Sequence, residues 1–330
     1  MTTPYTAPVL RWYGQSARDL PWRQPDATPW SILVSEIMLQ QTPVSRVLPA
    51  HDAWLRRWPE PARLAAATPA DAVRQWDRLG YPRRALRLHA SAELITNRHG
   101  GQVPASRDKL RSLPGVGAYT AAAVASFAFG ERHAVLDTNV RRVLARLVAG
   151  DFLPPPAPTV AEVQLAESLL PADGRLAARW SVGVMELGAL VCTAARPRCD
   201  DCPVHNQCAW LKRGRPASPG RRPAARYEGS DRQSRGRLLA ALRSASGPVP
   251  AEALDAAWHE SAQRTRALAA LIDDGLVIRC ADGSLALPGE TVASGKTVAL
   301  SATNRGRPSD ARATDPPSPS DEKPTGRSGS

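Results

Sequence analysis

Apolar residues recur at spacings of three and four from residue 8 to about residue 210, as in Leu64, Ala65, Val73 and Trp76. That is the period of helices with one buried face. Breakers divide the pattern at Pro43, Pro59, Pro69, Pro82, Pro104, Pro114 and Pro154–Pro156. Runs of alternating β-branched and polar residues are nearly absent, so this part of the chain is predicted to be all-α. Leu211 to Arg237 has little apolar surface to pack, and residues 213–232 read as a linker or an extended DNA-contacting segment. The pattern resumes over 233–288. RGRLLAALRSA, AEALDAAW and QRTRALAALIDDG predict three amphipathic helices, and LVIRCADGSLALP predicts a hairpin turning on Asp282-Gly283. Three helices and a hairpin suggest a small winged-helix-like α+β domain; a helical packing domain without DNA contact would give the same pattern. Residues 289–330 are rich in Ser, Thr, Pro and Asp and are expected to be disordered.

Composition adds a partner class. Of 330 residues, 43 are Lys or Arg and 31 Asp or Glu, a formal charge of +12, and only four of the cations are Lys. A pI near 10.2 favours an anionic partner, nucleic acid or a membrane surface. No apolar run reaches the about 18 residues a membrane helix needs. MTTPYTAPVLRWYG carries no secretory signal, so a cytoplasmic location is expected. Leu211–Arg237 holds nine Lys and Arg against two acids, a net +7, more than half of the excess.

Four of five cysteines are clustered. Cys192, Cys199, Cys202 and Cys208 form C-x6-C-x2-C-x5-C. Structural zinc usually uses two close cysteine pairs, and here only one pair is close, so the spacing favours a [4Fe-4S] cluster with one thiolate per iron. Zinc, with His205 as an alternative ligand, and free thiols are the other readings. Cys280 stands apart and reads as a buried small hydrophobe.

Two further features carry chemistry. In LPGVGAYTAAAV, Gly115-Val116-Gly117 sits between two helical stretches, where a tight turn followed by a helix N-terminus can take a phosphate. It fits a helix-hairpin-helix that grips duplex backbone without reading sequence. Glu36 lies in the apolar run WSILVSEIMLQQT, where burial would raise its pKa and let it deliver a proton near neutrality. Asp137, in AVLDTNVRRVLARL, opens a helix whose N-terminal donors are expected to lower its pKa and keep it ionised. A plain N-cap for Asp137 and a satisfied buried acid for Glu36 are the structural alternatives. Two acids shifted in opposite directions suit glycosidic bond cleavage.

SEIMLQQT, LGYPRRA, LPGVGAYTA, VLDTNVRRVLAR, MELGALVC and the cysteine spacing together resemble the MutY-type adenine DNA glycosylases of the helix-hairpin-helix superfamily, over about residues 8–212. The resemblance implies removal of adenine mispaired with 8-oxoguanine or guanine in double-stranded DNA. It implies two helical subdomains, 1–28 with 138–212 around the iron–sulfur cluster and 29–137 around the hairpin, and a chain acting as a monomer. By resemblance, Glu36 is the general acid at adenine N7, Asp137 stabilises the sugar cation and Asn139 hydrogen-bonds beside it. Arg23 and Leu39 match the adenine pocket, and Glu186 an acid at the adenine edge. Gln41 and Tyr81 match wedges that replace the extruded base, and Thr42 the residue beside the opposing 8-oxoguanine.

Strand-cutting relatives resembling endonuclease III place a lysine where this chain has Tyr119. A phenol cannot form a Schiff base, and Lys109, the nearest lysine, lies outside the hairpin. A monofunctional glycosylase is therefore expected. The rivals are a bifunctional glycosylase/lyase and a non-enzymatic iron–sulfur DNA-binding regulator; the second leaves Glu36 and Asp137 unexplained. Two departures stand out. Pro82 follows Tyr81 where an aromatic residue is frequent, which implies a stiffer wedge loop. Nothing in 213–330 resembles the Nudix-like domain with which many members read 8-oxoguanine.

Overall fold

The computed structural model describes residues 3–216 and 227–290, so the centre of the expected linker and nearly all of the expected tail lie outside the described residues. The described chain is helical apart from one short hairpin, as the apolar spacing predicts. Helix α1 (Thr6–Ser16) leads through a 3-10 turn, Pro21–Arg23, into α2 (Pro29–Leu39). Thr28 caps α2 by accepting the Ser31 N–H, and Pro29 sits in the first turn, where an N–H would lack a partner anyway. Every residue from Trp30 to Met38 is buried. A helix apolar all round is a core helix, and this one carries Glu36 into the interior.

Helices α3 (Val44–Arg57), α4 (Pro61–Ala65), α5 (Pro69–Trp76) and α6 (Arg83–Arg98) wrap one side of α2. Helices α7 (Arg107–Arg111) and α8 (Ala118–Phe129) make the hairpin, and α8 packs directly on α2. Small side chains at Ala121, Ala122, Ala123 and Ala125 let the two axes approach closely. This close packing is what sets Tyr119 against Glu36.

Helix α9 (Thr138–Leu144) runs into one π-helical turn, Ala145–Ala149, that stops at Gly150. Helices α10 (Val160–Leu169), α11 (Gly174–Leu190) and α12 (Ala209–Lys212) follow, with the cysteine loop between the last two. Their buried residues, with Val9 of α1, form an apolar cluster separate from the one around α2. No helix among the described residues is long and apolar enough to cross a membrane.

The C-terminal segment comprises α13 (Asp231–Ser244), a 3-10 helix Ala251–Ala257, α14 (Ser261–Asp273), β1 (Ile278–Arg279) and β2 (Leu285–Ala286). Val249 bridges Leu285 beside the hairpin. Two local expectations are corrected. AEALDAAW forms a 3-10 rather than an α-helix, bounded by Pro250 and the extended Trp258. The hairpin turns on three residues, 281–283, not two. Gly283 donates to Cys280 O at 3.0 Å, and its φ of +85° supplies the left-handed residue such loops require. Cys280, expected to be buried, is partly exposed. Leu238, Leu242, Leu271 and Leu287 join the apolar cluster around α2.

Candidate active site

A cleft of about 1430 Å³ opens between the two apolar clusters. Eight of the residues singled out by sequence line it: Arg23, Glu36, Leu39, Gln41, Thr42, Tyr119, Asp137 and Asn139. They come from the Pro21–Arg23 turn, from the C-terminal end of α2 and the residues after it, and from the starts of α8 and α9.

Glu36 is only 5% exposed. Burial pushes its carboxyl from 4.5 up to about 7, and the nearby Asp137 charge adds to the rise. The Tyr119 hydroxyl donates to this carboxyl and pulls in the opposite direction. Tyr119 itself is raised well above its ordinary value, chiefly by burial and then by the two acids, so it stays protonated and serves as a fixed donor.

Asp137 is both an N-cap and a cleft residue. One carboxylate oxygen accepts the Val140 N–H at 2.6 Å and the other accepts Asn139 Nδ2 at 2.8 Å. Its pKa is nevertheless raised, because burial in the cleft outweighs those donors and the Arg142 charge. The expected lowering from the helix terminus is therefore corrected. Asn139 is held in turn, its Oδ1 accepting from Arg142 Nη2 at 2.7 Å. Arg142 continues to Gly188 O (2.6 Å) and to Cys192 O (2.8 Å), which anchors Asp137 to the cysteine loop. A Cβ at Gly188 would stand 2.7 Å from the Asn139 Cβ, so only glycine lets α11 abut α9 there.

Glu186 lies behind the cleft wall, fully buried. It accepts Arg18 Nε at 2.7 Å, Arg18 Nη2 at 2.8 Å, the Arg18 backbone N–H at 3.0 Å and Arg23 Nη1 at 2.7 Å. Burial alone would raise its pKa, but the two guanidiniums hold it down at about 2. Arg18 and Arg23, rather than the carboxylate, face the cleft.

The two residues matched to duplex wedges share a backbone property. Only four non-glycine residues among those described have a positive φ, and two of them are Gln41 (+56°) and Tyr81 (+48°). Such backbones cost about 1–3 kcal/mol each and cluster at functional loops. Both side chains are exposed, Tyr81 at 44%. Tyr81 does not line the cleft; it stands in the separate loop between α5 and α6. Pro82 opens α6 with φ −64°, the value its ring imposes. Buried Arg84 ties the two loops together. It donates to Ile37 O (2.9 Å), Met38 O (2.8 Å) and Gln40 O (2.6 Å) at the end of α2, to Thr42 Oγ1 (2.9 Å), and to Gly80 O (2.8 Å). Desolvation lowers it to about 10, so it remains a cation at neutral pH.

In the hairpin, Gly115 takes φ +82°, and a Cβ there would lie 2.9 Å from the Arg87 Cβ. Val116 is buried and Gly117 caps α8. Gln40 Nε2 reaches Gly115 O and Thr120 Oγ1, both at 3.3 Å, and so ties the hairpin to the Gln41 loop after α2.

The four clustered cysteines pack on the second apolar cluster. Arg146, buried in the π turn, donates to Cys192 Sγ at 3.5 Å, while Cys208 Sγ donates to Arg146 O at 3.5 Å. Burial pushes the Cys202 thiol up to about 12, and the other three sulfurs add to that rise. Among the described residues, no three His, Cys, Asp or Glu side chains converge on a single-ion site.

Sequence reading missed Arg18, Arg84 and Arg142. Arg84 and Arg142 fall inside motifs that were recognised, LGYPRRA and VLDTNVRRVLAR, but nothing local separates them from the neighbouring arginines. Arg18 carries no local signal.

The sequence pattern described as the HhH-GPD superfamily base excision DNA repair protein matches residues 34–167. The adenine DNA glycosylase of Mycobacterium tuberculosis is 53% identical over 287 residues, covering 86% of this chain and 93% of that protein. The adenine DNA glycosylase of Mycolicibacterium smegmatis is 50% identical over 86% of this chain and 95% of its own length. Among solved structures, a thermostable thymine-DNA glycosylase superposes with a TM-score of 0.58 at 29% identity, covering 63% of this chain and 95% of that one. Likeness of this extent, together with a cleft that joins Glu36, Tyr119, Asp137 and Asn139, establishes that the chain belongs to the adenine DNA glycosylase family of the helix-hairpin-helix superfamily.

Proposed function

We propose that this enzyme hydrolyses the N-glycosidic bond of adenine mispaired with 8-oxoguanine or guanine in duplex DNA, and leaves an abasic site in an uncut strand. One observation carries the reading. Glu36 has a pKa of about 7 beside the fixed donor Tyr119, in the same cleft as Asp137. Glu36 gives its proton to N7 of the extruded adenine, which makes the base a neutral leaving group. The N9–C1′ bond breaks with its electron pair moving to the base. Asp137, fixed by Asn139 and Arg142, faces the cationic sugar, and water adds at C1′ and releases its proton. Tyr119 offers no amine for a Schiff base, so the strand is not cut.

Gln41 and Tyr81 enter the stack as the base leaves, Thr42 stands beside the opposing base, and Arg23 and Leu39 border the adenine pocket. Glu186 acts through Arg18 and Arg23 as a positioning residue rather than at the adenine edge. The Gly115–Gly117 turn and the α8 N-terminus take a backbone phosphate. Four thiols that pack on one apolar cluster, three of them raising the fourth, suit a shared thiolate-bound group, and Cys192, Cys199, Cys202 and Cys208 would hold a [4Fe-4S] cluster. When bound, it supplies a fixed crosslink that shapes the loop bearing Arg196 and Arg198. The two apolar clusters fit subdomains of 1–28 with 138–212 and of 29–137 except at Leu20, Trp22 and Ala27, which pack with the second of these. The order α13, Val249 bridge, 3-10 helix, α14, β1, β2 supports a winged-helix arrangement of 233–288.

Single-turnover release of adenine, compared on A:8-oxoG, A:G, A:T and thymine-glycol duplexes, tests the proposal. Fast release from the first two is expected. Release of thymine glycol, or equal rates on A:T and A:8-oxoG, would overturn it.

A further inference from the structure

The C-terminal segment grips the loop that carries Tyr81 from both ends. At one end, Arg243 of α13 donates to Asp77 O, and its guanidinium lies 3.9 Å from the Asp77 carboxylate. Arg74 of α5 returns the contact by donating to Arg243 O (3.3 Å) and Ala245 O (2.9 Å), and it pairs with Glu290. At the other end, Arg83 of α6 pairs with Asp274 at 3.0 Å, and Arg235 of α13 shares that carboxylate.

Between these anchors the Tyr81 ring has a guanidinium group on two approaches. Arg84, the buried hub of the wedge loops, lies 5.4 Å from the ring centroid. Arg232, near the start of α13, lies 5.4 Å from the same centroid and 5.9 Å from the ring of Tyr227. Tyr227 is 53% exposed and Tyr81 44%. The surface thus presents two exposed aromatic rings with one exposed arginine over both.

We infer that the C-terminal segment is part of the duplex-binding surface, with Arg232 as a positioning residue for Tyr81 and a contact to the DNA backbone beside the extruded nucleotide. This rests on the reading of Tyr81 as a wedge. An exposed tyrosine must give up rotamer freedom to enter a base stack, and a guanidinium held against its ring bears part of that ordering before DNA arrives. A stacked guanidinium also keeps N–H edges for a phosphate oxygen, which an ammonium serves only as a point charge. Interleaved aromatic and cationic side chains are what single-stranded and distorted DNA take up by stacking and charge together. Arg46, in the first turn of α3, and Arg78, in the Tyr81 loop, are both exposed and extend the cationic rim.

The test uses the full chain. Binding to an A:8-oxoG duplex is followed by fluorescence anisotropy across a salt series, and base extrusion by 2-aminopurine emission. Arg232→Ala is expected to weaken binding about tenfold and to lower the salt slope by about one. Arg232→Lys is expected to restore the slope but not the extrusion rate. In a double-mutant cycle Arg232→Ala and Tyr81→Ala are expected to be non-additive, with unchanged melting temperatures showing that the fold is kept. Wild-type affinity, slope and extrusion rate for Arg232→Ala, in an enzyme that excises adenine, would overturn this inference alone. A chain that shows the Arg232 effects on binding but releases no adenine would overturn the proposed function alone.

Discussion

Glu36→Gln removes the proton while keeping the shape and a hydrogen-bond acceptor for the Tyr119 hydroxyl. Burial holds the folded-state pKa at about 7 against an ordinary 4.5. The sign follows from where the proton sits. Below pH 4.5 Glu36 is neutral in both folded and unfolded chains and burial costs little. As pH rises through 4.5 towards 7, the unfolded chain releases its proton first, so the folded state loses stability. Above pH 7 the whole difference is expressed, about 3 kcal/mol at 1.36 kcal/mol per unit. Glutamine never ionises, so the variant should gain about that much stability at pH 8 and only about a quarter of it at pH 5. In a chain of this size the gain corresponds to a melting-temperature rise on the order of 5 °C. Adenine excision should fall by about 10²–10⁴, the range for loss of a positioned general acid. Calorimetry at both pH values and single-turnover excision on A:8-oxoG read the two effects. Excision within tenfold of wild type, or an equal thermal gain at pH 5 and pH 8, would refute the assignment.

Tyr119→Phe removes the donor that favours ionised Glu36, so the pKa of Glu36 should climb further. The alkaline fall of the excision rate, expected near pH 7 in the wild type, should move to higher pH, and a pH–rate profile checks it. Tyr81→Ala should weaken mispair binding about 5- to 150-fold, the loss of about 1–3 kcal/mol of stacking, with little change in melting temperature. Gly115→Ala forces a Cβ into a backbone at φ +82° and within 2.9 Å of the Arg87 Cβ. About 1–2 kcal/mol of stability should be lost, and non-specific duplex affinity should drop with it; thermal melting and anisotropy at low salt read the two losses.

What was legible in sequence depended on whether its cause was local. The helix-period pattern marked α2 as an apolar helix, and that alone placed Glu36 in a dry environment with a raised pKa. Asp137 was readable as a cap because capping involves neighbours in sequence. Its net pKa was not, because its burial comes from the cleft that distant parts of the chain close around it. Arg84 and Arg142 organise the loops bearing Gln41 and Tyr81 and the surroundings of the Asp137 carboxylate through partners 44 to 50 residues away. In a chain where arginine supplies nearly all the positive charge, periodicity gives such residues no mark. Glu186 was identified from its motif, but its two guanidinium partners, 163 and 168 residues distant, decide that it faces them and not the cleft. The 3-10 helix 251–257 illustrates the opposite limit. Apolar spacing predicted a helix there but does not distinguish a 3-10 from an α-helix over the seven residues between Pro250 and the extended Trp258.

The C-terminal segment bears on the proposed recognition of mispairs. No Nudix-like region is evident in the sequence, and the helices and hairpin in its place pack on the same apolar cluster as α2 and clamp the Tyr81 loop. The Tyr81 loop and the C-terminal segment are in contact, so changes in either should be read out in the other.

The central claim is that Glu36 and Asp137 hydrolyse the glycosidic bond without an amine nucleophile. The most direct measurement is a single-turnover reaction on an end-labelled A:8-oxoG duplex, divided between alkali treatment, no alkali, and borohydride. Strand breaks only after alkali, with no borohydride-trapped adduct and with loss of product in Asp137→Asn, are the expected result. A trapped covalent enzyme–DNA adduct, or strand cleavage without alkali, would contradict it.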